Sequence, residues 1–110
     1  MALTTIDDRG LKTPIDLLDS EKIRFGTSND LEIYHNGSNS YITDLGTGDL
    51  VLGSNGASIQ LAKDPDNWEV MLKAIPDGTV ELYYDNAKKL ETTSSGIGVT
   101  GTVASVSTND

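Results

Sequence analysis

Residues 31–36 read Leu31-Glu32-Ile33-Tyr34-His35-Asn36, and residues 80–85 read Val80-Glu81-Leu82-Tyr83-Tyr84-Asp85. Both stretches alternate. Leu31, Ile33 and His35 fall on one side, Glu32 and Tyr34 on the other. Val80, Leu82 and Tyr84 oppose Glu81 and Tyr83. A period of two is the signature of a strand with one buried face. The second block follows the first at a constant spacing of 49 residues, 80 against 31 and 83 against 34. Further along, Ser38-Asn39-Ser40-Tyr41 runs beside Ala87-Lys88-Lys89-Leu90. Both copies read as strand, tight turn, strand. Two copies of one hairpin point to a repeat architecture, in which each unit buries its apolar face only against neighbours. Chance similarity between two short hairpins is the alternative.

Outward from these blocks the same rhythm continues. Strands are expected at Lys22–Phe25, Leu31–His35, Ser40–Thr43, Asp49–Leu52, Ser58–Lys63, Trp68–Lys73, Thr79–Tyr84, Lys88–Thr92 and Ile97–Val103. Turn-forming runs separate them at 26–30, 36–39, 46–48, 53–56, 64–67, 76–78 and 94–96, each holding residues that accept positive φ or preset a turn. Asn36-Gly37 is the strongest hairpin signal. A strand every 8–11 residues or so is the spacing of an all-β protein.

Residues 1–21 differ. Thr13-Pro14 could open a helical turn, with Thr13 as N-cap and Pro14 in the first helical position. Leu3, Ile6, Leu11, Ile15, Leu17 and Leu18 give this segment scattered apolar side chains, and it reads as an attachment arm. The expected organisation is an N-terminal arm over 1–21, a β-rich module over 22–103 and a C-terminal tail over 104–110.

Composition narrows the function. Of 110 residues 36% are hydrophobic, with one Phe and one Trp. That is thin for a solitary core. The net charge of −9 opposes binding to phosphate backbones, so no nucleic-acid partner is expected. The absence of cysteine excludes disulfides, thiolate metal sites and cysteine nucleophiles. No apolar run approaches membrane-span length. The N-terminus lacks the pattern of a signal peptide, so synthesis in a cytoplasm is expected. An ordered pattern with too little apolar material for one chain implies that copies complete each other's interior. The fold expected from the pattern is therefore all-β: short antiparallel strands and hairpins, with a short N-terminal arm and an interior shared between copies.

The stretch from Lys22-Ile23-Arg24-Phe25-Gly26 through Asn36-Gly37-Ser38-Asn39-Ser40-Tyr41-Ile42 resembles a repeat of predicted tail-fibre and other structural proteins of marine and freshwater phages, cyanophages especially. So does Val80–Thr93 followed by Gly96-Ile97-Gly98-Val99-Thr100-Gly101-Thr102-Val103. The resemblance covers roughly 22–103. It implies an intertwined homotrimer, a β-helix- or β-prism-like fibre or spike that serves as a β-rich shaft or connector of the virion, without catalysis. Members with this look are often longer, with a receptor-binding or collar domain after the repeat. Only residues 104–110 follow here, which shifts the expectation toward a fibre segment, an adaptor or a capsid decoration protein.

Sites of chemistry are few. His35 is the sole histidine and ends a strand beside a turn, so a triad through it is not expected. Asp64, Asp66 and Asn67 have a partial calcium-loop look, but the full pattern with a distal Glu is absent. Asp44, Asp49 and Asp77 read as turn or strand-edge residues. Gly96-Ile97-Gly98-Val99-Thr100-Gly101 fits the letters of a dinucleotide loop, yet no helix follows to supply dipole and amides. No catalytic residue, cofactor or metal is expected. Trp68 and Tyr83 are the candidate contacts for a host-surface glycan. A tail or capsid protein would be the neighbour in the particle. Capsid decoration and a glycan-binding adhesin are the competing functions. A polysaccharide-cleaving spike would need two carboxylates at defined separation.

Overall fold

The computed structural model describes residues 10–104. Leu3, Ile6 and residues 105–110 lie outside them. The described chain is all-β and antiparallel, with eight strands: β1 (Lys22–Phe25), β2 (Leu31–His35), β3 (Ser40–Asp44), β4 (Ile59–Ala62), β5 (Val70–Ala74), β6 (Val80–Tyr84), β7 (Ala87–Thr93) and β8 (Gly96–Val99). They form two meanders, a three-stranded sheet β1-β2-β3 and a five-stranded sheet β4-β5-β6-β7-β8. The chain divides between Leu50 and Val51 into two compact units, one holding each sheet.

Two expected elements do not form. Asp49–Leu52 is irregular, with Leu50, Val51 and Leu52 exposed. Glycine-rich turns flank it on both sides, and no neighbour supplies a hydrogen-bond ladder, without which a strand does not persist. The helical turn at Thr13-Pro14 is also absent, and that peptide bond is cis. So short an apolar segment does not offset the cost of helix nucleation.

The 49-residue spacing is a structural repeat, and it reaches one strand further than the sequence suggests. In the first sheet Ile23 pairs with Ile33, Arg24 with Glu32 and Phe25 with Leu31. In the second, Leu72 pairs with Leu82, Lys73 with Glu81 and Ala74 with Val80. Every partner is displaced by 49. The loops follow suit: Asn29 N donates to Gly26 O at 3.2 Å, and Gly78 N donates to Ile75 O at 3.0 Å.

The repeats part company at the next hairpin. β2 and β3 are joined by a four-residue loop, 36–39, in which Asn36 Oδ1 accepts from Ser38 N and Asn39 N at 3.0 and 2.9 Å. β6 and β7 are joined by Asp85-Asn86 alone, both at positive φ, the mark of a type I′ turn. A shorter turn would bring Lys89 opposite Leu82. A bulge intervenes instead: Tyr83 pairs with Lys88 and Leu82 with Leu90. One extra residue thus restores register, because a one-residue slip sends every following side chain to the wrong face.

Each sheet has an aliphatic face and a polar face. In the first, Ile23, Ile33 and Ile42 form a row across all three strands. In the second, Leu61, Leu72, Leu82, Leu90 and Val99 form a row across all five. No apolar side chain among the described residues is buried. The alternation expected for both blocks is present, but within one chain the covered side of each sheet is the polar one.

Candidate functional site

The two most buried residues of the described chain are Glu32 and Glu81, 7% and 8% exposed. They hold equivalent places in the two repeats. A carboxylate is buried only with partners, and each has them.

Glu32 sits in the middle of β2. Lys22 Nζ lies 3.0 Å from its Oε1, and Arg24 Nε lies 3.0 Å from its Oε2. Both cations come from β1, which the register sets beside β2. Their long stems lie over the sheet while their heads close on the carboxylate, so the charged residues themselves provide the cover. The Lys22 ammonium, followed by Arg24, holds the Glu32 carboxyl below its ordinary pKa against the opposing effect of burial. Lys22 Nζ also sits 4.4 Å from the Tyr34 ring centroid. Tyr34 stacks on its cross-strand neighbour Tyr41, with centroids 4.8 Å apart and planes 18° from parallel. Asn36 and Asn39 each donate from Nδ2 to Tyr41 Oη at 3.3 Å.

Glu81 is held differently. Tyr83 Oη donates to its Oε2, and Thr79 Oγ1 donates to its Oε1 at 2.8 Å. The Tyr83 hydroxyl is the main cause of a lowered Glu81 pKa, and the carboxylate in turn raises that of Tyr83. Lys73 stands opposite Glu81 on β5, and Glu91 stands opposite on β7. Glu91 is neutralised by Lys88, whose Nζ lies 2.6 Å from Oε2, and that bond raises the Lys88 pKa. These are networks of mutually paired groups.

The remaining candidates are dispersed. His35 Nδ1 and Ser40 Oγ lie 2.9 Å apart at the exposed end of the β2–β3 hairpin. Among the described residues no carboxylate is bonded to that imidazole in the manner of a triad. Asp64 Oδ1 accepts from Asp66 N and Asn67 N at 3.0 and 2.8 Å, closing its turn. Asp44 ends β3 and accepts from Gly46 N at 2.9 Å. Asp49 lies in the irregular stretch after β3, and Asp77 holds positive φ in the β5–β6 loop. Gly96 and Gly98 lie within β8, and no helix follows among the described residues. No group of three or more His, Asp or Glu side chains among them is placed to hold a metal ion. Trp68 is 54% exposed in the β4–β5 connection, and Tyr83 spends its hydroxyl on Glu81. Leu11, Ile15, Leu17 and Leu18 of the arm are exposed. No helix among the described residues is long and apolar enough to cross a membrane.

Sequence reading missed the pairing of Glu32 with Lys22 and Arg24. The signal was present, since all three fall on the same side of an antiparallel pair once β1 and β2 are set in register. Among the described residues no apolar side chain of either sheet is buried. Comparison of the chain with protein-family models, curated proteins and solved structures returned no match.

Proposed function

We propose that this chain is a structural, non-enzymatic component of a phage virion, a trimeric segment or adaptor of a tail fibre or spike. The observation that supports the reading most is the missing core. Eight regular strands are in place, yet no apolar side chain among the described residues is buried. Ordering the chain costs roughly 1–2 kcal/mol per residue in backbone entropy. Burial of apolar surface is the main term that offsets this cost. A sheet with one dry-loving face open to water gains little of it, so the assembled form is the folded form. The resemblance of 22–103 to phage fibre repeats supplies the particle, and the exposed aliphatic side chains of the arm supply a means of attachment.

Light scattering on the full chain tests this. The expected mass is about 35 kDa, three times the 11.7 kDa chain. A well-folded 11.7 kDa species at micromolar concentration overturns it. Copy number in purified particles separates a tail location from capsid decoration. A second reading, a glycan-binding adhesin, draws on the exposure of Trp68. It requires glycan-array binding that Trp68→Ala abolishes.

A further inference from the structure

The aliphatic face of the five-stranded sheet has an unusual make-up. The row Leu61, Leu72, Leu82, Leu90 and Val99 crosses every strand at matched register positions. Leu61, Leu82 and Val99 are 52%, 41% and 46% exposed. Beside it runs a second row in which Ile59 pairs with Ala74 and Ala74 with Val80, and Ile97 pairs with Thr92 on β7, whose Oγ1 accepts from Val80 N at 2.9 Å. Neither row contains a charged residue. The opposite face carries Gln60, Lys73, Glu81 and Glu91 in register, with Glu81 and Glu91 already bonded. One face is thus finished against water and the other is not.

We propose that a second copy of this chain docks on that aliphatic face, with the five-residue row as the contact, while the Glu81 face stays in water. The inference rests on the reading of the chain as a self-assembling module and adds which surface does the assembling.

Three arguments identify the occupant as another copy. The first is obligation. With none of its described apolar residues buried, the sheet needs a cover whenever it is folded, and a copy of the chain is present at every synthesis. The second is charge. A chain of net charge −9 repels its own copies wherever charged surfaces meet. Rows without charge are where two copies can approach at least cost. The third is size. The aliphatic row, with Ile59, Ala74, Val80 and Ile97 beside it, exposes apolar surface on the order of a few hundred Å2, the scale that marks an interaction site. Two such faces per copy also allow an assembly to grow beyond a dimer and close on itself.

The chain has no cysteine, so single cysteines report cleanly. Val99→Cys places a thiol of nearly the same size on the aliphatic row, and Gln60→Cys places one on the exposed polar face. Each full-length variant is labelled with a maleimide while its mass is followed by light scattering and its fold by circular dichroism. The expected result is a folded multimer in which Val99→Cys reacts at least tenfold more slowly than Gln60→Cys. Equal labelling rates in a multimer overturn the face assignment and leave self-assembly standing. Equal rates in a folded monomer overturn both. Should Val99→Cys fail to fold, Leu61→Cys on the edge strand of the same row takes its place under the same criteria.

Discussion

In the first sheet the buried glutamate is gripped by two cations, Lys22 and Arg24; in the second its counterpart is gripped by two hydroxyls, Thr79 and Tyr83. The aliphatic rows differ as well. The first is three isoleucines wide, and the second extends through four leucines to Val99. What the repeats share is geometry: the same cross-strand register, the same i to i−3 bond in the loop, and a carboxylate backing an aliphatic row. The chemistry on either side is free to vary provided the carboxylate is satisfied and the row stays apolar. The bulge at Lys89 makes the point most sharply. A turn two residues shorter has been accommodated by adding one residue to the strand, and the outcome is that Leu90, and not a lysine, joins the row.

Substitution within the rows is the strongest way to break this comparison. Leu82→Asp and Ile33→Asp occupy equivalent positions. Each places a charge in a contact that assembly dries, at a cost on the order of several kcal/mol. Both lower the denaturation midpoint and the assembled mass. Leu82→Asp has the larger effect, because its row runs on to either side of Leu72 and Leu90. A Leu82→Asp chain with unchanged mass and midpoint would show that the rows are not equivalent in role.

The hairpins allow finer tests. Gly37 has φ 95, and a Cβ there would lie 3.2 Å from Asp19 Oδ2. Gly37→Ala therefore costs about 1–2 kcal/mol, the penalty for an L-residue in that backbone region. At the second hairpin Asn86→Gly relieves a positive φ of 65 and adds up to about 1 kcal/mol of stability, seen as a higher melting midpoint. Deleting one lysine of the Lys88-Lys89 pair removes the bulge and keeps Leu90 opposite Leu82. We expect it to be tolerated within about 1 kcal/mol in thermal melts.

The carboxylates give the smallest and most selective effect. Glu32 and Glu81 both have lowered pKa values in the folded chain. Their contribution is complete above the ordinary glutamate value of 4.5 and fades as pH falls through the lowered folded value. Lys88 and Tyr83 are raised, so their contribution is complete below their ordinary values and fades as pH climbs through the raised ones. Glu32→Gln and Glu81→Gln each flatten the acid limb of a stability-against-pH curve. Added salt weakens the Glu32 contribution more, because it rests on ion pairs and that of Glu81 on hydroxyls.

Much of this architecture was legible from residue order. The alternation in 31–35 and 80–84, the positions of β1 and β2, and the 49-residue repeat all follow from patterning that local chemistry obeys. Three things were not legible. The match of β1 to β5 escaped notice because Lys22-Ile23-Arg24-Phe25 and Met71-Leu72-Lys73-Ala74 share only a cation beside an aliphatic residue. The strand expected at Asp49–Leu52 looked right for its side chains, but pairing depends on a neighbour that local pattern does not supply. The polarity of burial was hidden because alternation shows that a strand has two faces and does not show which of them is covered. The long side chains of Lys22 and Arg24 do find something to cover, and it is a glutamate.

The account stands on the described residues leaving every apolar side chain of the two sheets unburied. Thermal melting of the full chain over a hundredfold range of concentration tests that directly. Folding coupled to association predicts a midpoint that climbs steadily with concentration and a chain that unfolds on dilution. A midpoint independent of concentration, with native circular dichroism retained in the most dilute sample and a mass of 11.7 kDa, would contradict it.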